Sequence, residues 1–247
     1  MFALQYSKRD PAKRIPRFAA TAATVTALLV TAFSAHAVPI PGRGTWESTL
    51  QARDINSDGT VDAYYDTALD ITWLANANAG AGSVFDNGSS NSDGKMTWAS
   101  AQAWVAALDV HGVTGWRLPV RPDSPAAQEL SHMYYVTLGN FGPGNPLTMT
   151  GPGTWGFENT GPFSNLFSDW YWTGTPGAPI GPQATAWVWV GDPISAYYSQ
   201  EPVTGDYFAW AVRSGDVPTA AIPEPSTYAL MLAGLLAVVL LRRRQVR

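Results

Sequence analysis

The stretch Asp54-Ile55-Asn56-Ser57-Asp58-Gly59-Thr60-Val61-Asp62 sets oxygen donors at the first, third, fifth and ninth places of a loop. Gly59 at the sixth place allows a sharp turn and Thr60 offers its carbonyl at the seventh, so the run matches the first nine positions of a calcium loop. The twelfth is Tyr65, where a bidentate carboxylate belongs, although Asp66 and Asp70 follow. A second reading needs no metal. Asn56-Ser57-Asp58-Gly59 is then the tip of a β-hairpin between Gln51–Asp54 and Thr60–Tyr65, with its acids solvated.

Asp169-Trp170-Tyr171-Trp172 joins a carboxylate to aromatic rings. Sugar sites use this pairing, because rings stack on apolar sugar faces while the acid accepts hydroxyl hydrogen bonds. In a strand Trp170 and Trp172 point one way and Tyr171 the other, so one of the two sets belongs to the core. The competing reading makes the whole block core, as it does Trp98 and Trp104.

Catalytic constellations are sparse. Beyond residue 37 only His111 and His132 remain, and no Gly-x-Ser-x-Gly elbow, His-Glu-x-x-His or P-loop occurs. Ser131 and His132 are adjacent, and neighbours on a helix point in different directions, so they make no dyad. Glu129 with Glu158 or Asp169 would make a glycoside hydrolase pair only at a separation that sequence does not give. Arg117 and Arg213 are expected to pair with core acids.

An address precedes and follows these residues. Lys8, Arg9, Lys13, Arg14 and Arg17 lead into an apolar run from Phe18 to Phe33, and Ala35-His36-Ala37 has the small-x-small form of a signal-peptidase site. Cleavage after Ala37 is expected, making residues 1–37 a signal peptide. At the other end Pro223-Glu224-Pro225-Ser226 precedes an uncharged run from Thr227 to Leu241 and then Arg242-Arg243-Arg244. That run gives about 22 Å of helix at about 1.5 Å per residue, short of a comfortable span. The arginines orient it, since clustered Arg beside an apolar run stays cytoplasmic, and the prolines break the helix on the far side.

This order of parts resembles the PEP-CTERM sorting signal of bacteria. The resemblance implies that residues 223–247 hold the protein temporarily in the inner membrane through a transmembrane segment at 227–241. An exosortase-type membrane protease then reads Pro223, Glu224 and Pro225 and removes the tail, leaving the protein at the cell surface or in the extracellular matrix.

Between the two signals the charge balance changes. The whole chain is at −4, but residues 38–221 hold six basic and seventeen acidic residues, a net charge of −11. Such a surface repels nucleic acid and anionic lipid, and suits cations, neutral polymers or basic partners. The chain has no cysteine, which removes disulfides, zinc–thiolate sites and cysteine nucleophiles. The exported part is therefore held by its core alone.

Two helices and several short strands are predicted, an α+β pattern with long loops. Thr97 caps the first helix, with Trp98, Ala101, Trp104, Val105 and Leu108 at helical spacing and His111-Gly112 beyond its end. The second begins with Ser124 as cap and Pro125 at the first turn, runs through Leu130, Met133, Tyr134 and Leu138, and stops at Gly139. Strands are expected at Val61–Tyr65, Ile71–Leu74, Trp116–Leu118, Trp170–Thr173, Thr185–Val190 and Tyr207–Arg213. Thr185–Val190 is apolar on both faces and reads as buried on both. Gly and Pro between Asn140 and Asn165 exclude regular structure there.

Five blocks occur in order: Ile71-Thr72-Trp73-Leu74 after Tyr65-Asp66, Met96-Thr97-Trp98-Ala99, Gly115-Trp116-Arg117-Leu118-Pro119, Asp169-Trp170-Tyr171-Trp172-Thr173 and Ala209-Trp210-Ala211-Val212-Arg213. Together they resemble the Lcl C-terminal-type domain. The resemblance covers residues 45–217, between linkers at 38–44 and 218–222, and implies a C-type-lectin-like fold with two helices, a small twisted sheet and a long loop region. It implies a non-enzymatic protein of the surface or biofilm matrix, meeting signal peptidase, the exosortase and then exopolysaccharide or a matrix protein. On this reading Asp169, Trp170 and Trp172 touch glycan, and calcium is held by Asp54, Asn56, Asp58, Thr60 and Asp62. A purely structural assembly protein is the alternative, and a glycoside hydrolase the second.

Overall fold

The computed structural model describes residues 39–140, 156–192 and 196–217, with 231 and 233–235. The signal peptide at 1–37, the linker 218–222 and the Pro223-Glu224-Pro225 and Arg242-Arg243-Arg244 motifs lie outside the described residues. Of the apolar run 227–241, residues 231 and 233–235 are helical and exposed. No helix among the described residues is long and apolar enough to cross a membrane.

From the N-terminal side come α1 (Trp46–Thr49), β1 (Leu50–Arg53), β2 (Ala63–Asp66), β3 (Ile71–Leu74), β4 (Lys95–Met96) and α2 (Trp98–Ala107). A 3-10 turn (Pro125–Ala127), α3 (Glu129–His132) and a π-helical turn (Met133–Thr137) follow. The remaining strands are β5 (Trp170–Pro176), β6 (Thr185–Val190), β7 (Tyr197–Pro202), β8 (Tyr207–Phe208) and β9 (Val212–Ser214). They form two sheets, ordered β1-β2-β3-β9 and β4-β8-β5-β6-β7. With few helices and two sheets, the described fold is α+β.

Side-chain chemistry explains the larger sheet. β6 lies between β5 and β7, and Ala186, Val188, Trp189 and Val190 are almost fully buried, so the strand is covered on both faces as its sequence predicts. α2 starts where Thr97 accepts a hydrogen bond from the Ser100 N–H at 3.4 Å. Its Ala101, Trp104 and Val105 are buried, and Trp98 donates its indole N–H to the Thr173 carbonyl on β5 at 2.8 Å.

Three expected elements take another form. The strand expected at Tyr207–Arg213 is split: β8 joins the larger sheet, β9 the smaller one, and Ala209-Trp210-Ala211 crosses between them fully buried. Trp116–Leu118 makes only an isolated bridge, in which Arg117 and Val212 exchange N–H···O bonds of 2.7 and 2.8 Å. Pro119, with no N–H, ends that pairing. The second helix is three pieces, because Gln128 is extended at ψ 106° and lets the Glu129 side chain turn back to accept the Val120 N–H at 2.7 Å.

The π turn is fastened from the N-terminal side. Gly44 and Gly139 both have positive φ, 75° and 63°, and a Cβ on either would strike the other's backbone. The Asn159 carboxamide seals this contact, donating to the carbonyls of Leu138 at 2.6 Å and Arg43 at 3.2 Å.

Candidate functional site

The Asp54–Asp62 run is the loop of a hairpin in which β1 and β2 pair antiparallel, Arg53 opposite Ala63. Asp54 accepts the N–H groups of Asp58 and Gly59 at 3.2 and 2.8 Å. Asp58 accepts from the Thr60 N–H at 2.8 Å and the Asn56 amide at 2.9 Å. One Asp62 oxygen accepts the Ile55 N–H at 2.8 Å, and the other faces His111 Nε2 at 3.2 Å. Each carboxylate oxygen of the motif is thus engaged by the loop itself or by His111. Asp66 is buried on β2, where burial raises its carboxyl pKa, and Asp70 accepts the Tyr65 hydroxyl proton at 2.8 Å. Among the described residues, no group of three or more His, Cys, Asp or Glu is placed to hold a metal ion. As arranged, Asp54, Asn56, Asp58 and Asp62 make the internal hydrogen bonds of a hairpin loop.

Asp169, Trp170 and Trp172 do not form a glycan platform. Asp169 is ion-paired with Lys95 at 2.7 Å and accepts the Trp170 N–H, also at 2.7 Å. Trp172 is fully buried and donates its indole proton to the Met96 carbonyl at 2.7 Å. Trp170 is half-buried, stacked on Tyr207 with ring centroids 5.3 Å apart, and donates to Asp192 at 3.0 Å. These contacts make the block structural.

The acids weighed for hydrolysis each have their own cation. Glu129 is held by both terminal nitrogens of Arg117 at 2.7 and 2.8 Å, Glu158 by Arg43 at 2.9 Å, and Asp169 by Lys95.

A groove opens instead beside the broken helix. It encloses about 490 Å³ and is lined by Ser124, Pro125, Ala126, Ser131, His132, Tyr135 and Val136. Ser131 and His132 both line it, with no hydrogen bond between their side chains among the contacts described. Burial lowers the His132 pKa against the opposing field of Asp66, so its imidazole is held neutral at neutral pH. Its Nε2 is buried without a hydrogen-bond partner.

One chain segment links this groove to a cation. Arg121 is three residues before Ser124, at most about 11 Å away along the chain. Its guanidinium carbon lies 3.8 Å from the centroid of Trp187 and 5.5 Å from that of Tyr198. The Tyr198 hydroxyl in turn accepts the N–H of Ser131 on the groove wall at 3.2 Å. The other cations of residues 38–221 are occupied. Arg43, Arg53, Lys95 and Arg117 hold acids, while Arg213, expected to pair with an acid, donates to the carbonyls of Thr114, Ser214 and Asp216. Among the described residues only the Arg121 guanidinium meets rings and no acid, and its Nε is buried without a partner. Sequence reading missed Arg121 because nothing local marks it. The alternate face of β6, which presents Trp187, was its nearest signal.

The tail matches a known sorting motif. Residues 221–244 match the PEP-CTERM protein-sorting motif. The chain carries a PEP-CTERM sorting signal. Among curated proteins and among solved structures, none matches the chain. The PEP-CTERM motif implies an exported protein, anchored at the membrane until an exosortase processes it. Changing Glu224 to Gln removes the charge between the two prolines while keeping its shape. The expected result is uncleaved protein in the inner-membrane fraction, visible as a larger band on an immunoblot, and unchanged processing would count against motif reading by the protease.

Proposed function

We propose that the chain is an exported cell-surface or biofilm-matrix protein whose lectin-like α+β domain binds exopolysaccharide or another matrix component without chemical turnover. The observation that carries this reading is the guanidinium of Arg121, lying over the rings of Trp187 and Tyr198 near a groove and answered by no acid. In a domain with seventeen acids and six cations, such a group is unexpected unless something outside the domain uses it. A guanidinium presents its N–H donors in a rigid planar fork, which suits sugar hydroxyls and carboxylates. The sorting tail supplies the setting, since it delivers the domain to where such polymers lie.

A glycan array probed with residues 38–221, wild type and Arg121→Ala, tests the reading. Binding by the wild type and a loss of about ten-fold or more in the variant are expected, the worth of one or more charge-assisted hydrogen bonds. Silence of the wild type on all glycans would favour the structural role, which self-association in sedimentation would then reveal.

A further inference from the structure

The loop between β3 and β4 holds acceptors that nothing in the protein answers. Asp86 is 3% exposed; one of its carboxylate oxygens accepts the N–H groups of Gly82 and Gly94 at 2.7 and 3.0 Å. The other, Oδ1, is buried with no partner. Asn78 Oδ1 is in the same condition. Its orientation is fixed, because Asn78 Nδ2 donates to the Asp93 carbonyl at 2.9 Å and leaves the oxygen facing Gly94. Both side chains lie against Gly94: Asp86 accepts its N–H, and the Asn78 oxygen takes the space that a Cβ would fill at its φ of 86°. A third buried, unpartnered oxygen, Oδ1 of Asp206, rests against Gly88 of the same loop. Lys95, at the end of the loop, has its ammonium on Asp169.

A buried carboxylate is ordinarily paired with a cation or bound to a metal, and Asp86 has no cationic side chain on it. Its unanswered neighbours also only accept, and no donor group of the protein reaches them, so what they await is a cation or water. The geometry points to a calcium site at Gly94, with Asp86 Oδ1 and Asn78 Oδ1 as side-chain ligands and loop carbonyls and water completing the oxygen shell that calcium takes. One carboxylate gives a weakly charged site, so its affinity falls in the roughly 10⁻⁴–10⁻³ M range of extracellular calcium modules. This assigns calcium to a different loop from the Asp54–Asp62 run, whose oxygens are already engaged. It is independent of glycan binding at Arg121.

The test uses the full chain in detergent, stripped of divalent ions with a chelator and titrated with calcium chloride. The melting temperature is expected to rise by about 3–6 °C at ten times the half-saturating concentration. Asp86→Asn, which keeps the shape and removes the charge, should abolish the rise, while Asp58→Asn in the hairpin loop should leave it. A parallel measurement on the wild type needs no variant to fold. Trp104 packs against Gly80 of the same loop, so terbium bound there should emit on tryptophan excitation and lose that emission when calcium is added. No calcium-dependent rise, no displaceable terbium emission, or a response lost in Asp58→Asn and kept in Asp86→Asn would each overturn the assignment. Water would then be what satisfies these oxygens.

Discussion

Replacing Arg117 with alanine should destabilise the fold by about 3–5 kcal/mol, the usual cost of removing one partner from a buried ion pair. Glu129 is the reason. Its side chain is 8% exposed and both its oxygens are taken by the Arg117 guanidinium, at 2.7 and 2.8 Å, with the Val120 N–H as a third donor. Without Arg117 one donor remains for a charge that cannot reach water. The same arginine gives its N–H and carbonyl to Val212, so its segment lies between β9 and α3. Glu129→Gln should cost less, about 1–2 kcal/mol, because an amide oxygen still accepts from Val120 and the half-exposed guanidinium is left to water. Urea unfolding of the two single variants and the double variant measures the coupling. A loss below about 1 kcal/mol for Arg117→Ala would show that Glu129 finds another partner or water.

These two residues also mark what sequence could and could not reveal. Arg117 was legible as structural because it stands in a short local block, but its partner was not, since Glu129 belongs to the run predicted as an unbroken helix. Continuous pairing of that run would have pointed Glu129 elsewhere; the Gln128 break lets it turn back. α2 was legible almost to the residue, because cap, spacing and stop all lie within one stretch of chain. The contacts made by the calcium-like run were illegible for the opposite reason. Its donors are local, but what occupies Asp62 is His111, far along the chain, and no spacing rule sees that contact. Arg121 is the extreme case. Its significance lies in which acids are not near it, a property that only the assembled fold defines. The sorting tail needs no fold to be read, which is why it is the best-marked functional element of the chain.

The largest single loss is expected from Trp210→Ala. Trp210 is fully buried in the segment that leaves one sheet and enters the other. Its ring lies 4.5 Å from that of Trp73 and 4.8 Å from that of Phe163, centroid to centroid, and its indole N–H donates to the Leu74 carbonyl at 2.9 Å. The next backbone bond runs the other way, from the Leu74 N–H to the Ala211 carbonyl at 3.0 Å. Truncation opens a cavity between the sheets, worth about 3–5 kcal/mol, and leaves a buried carbonyl short of its donor, worth about 1–3 kcal/mol more. Against a total of about 5–15 kcal/mol for a folded domain, this brings the variant to the edge of unfolding. Trp210→Phe separates the two terms, since it refills much of the cavity without restoring the bond and should lose only about 1–3 kcal/mol. The comparison is made by urea denaturation followed by far-ultraviolet circular dichroism. Because one crossing segment serves both sheets, loss of Trp210 should lower a single transition for the whole fold. Two separated transitions in the alanine variant would show that the sheets are held together elsewhere.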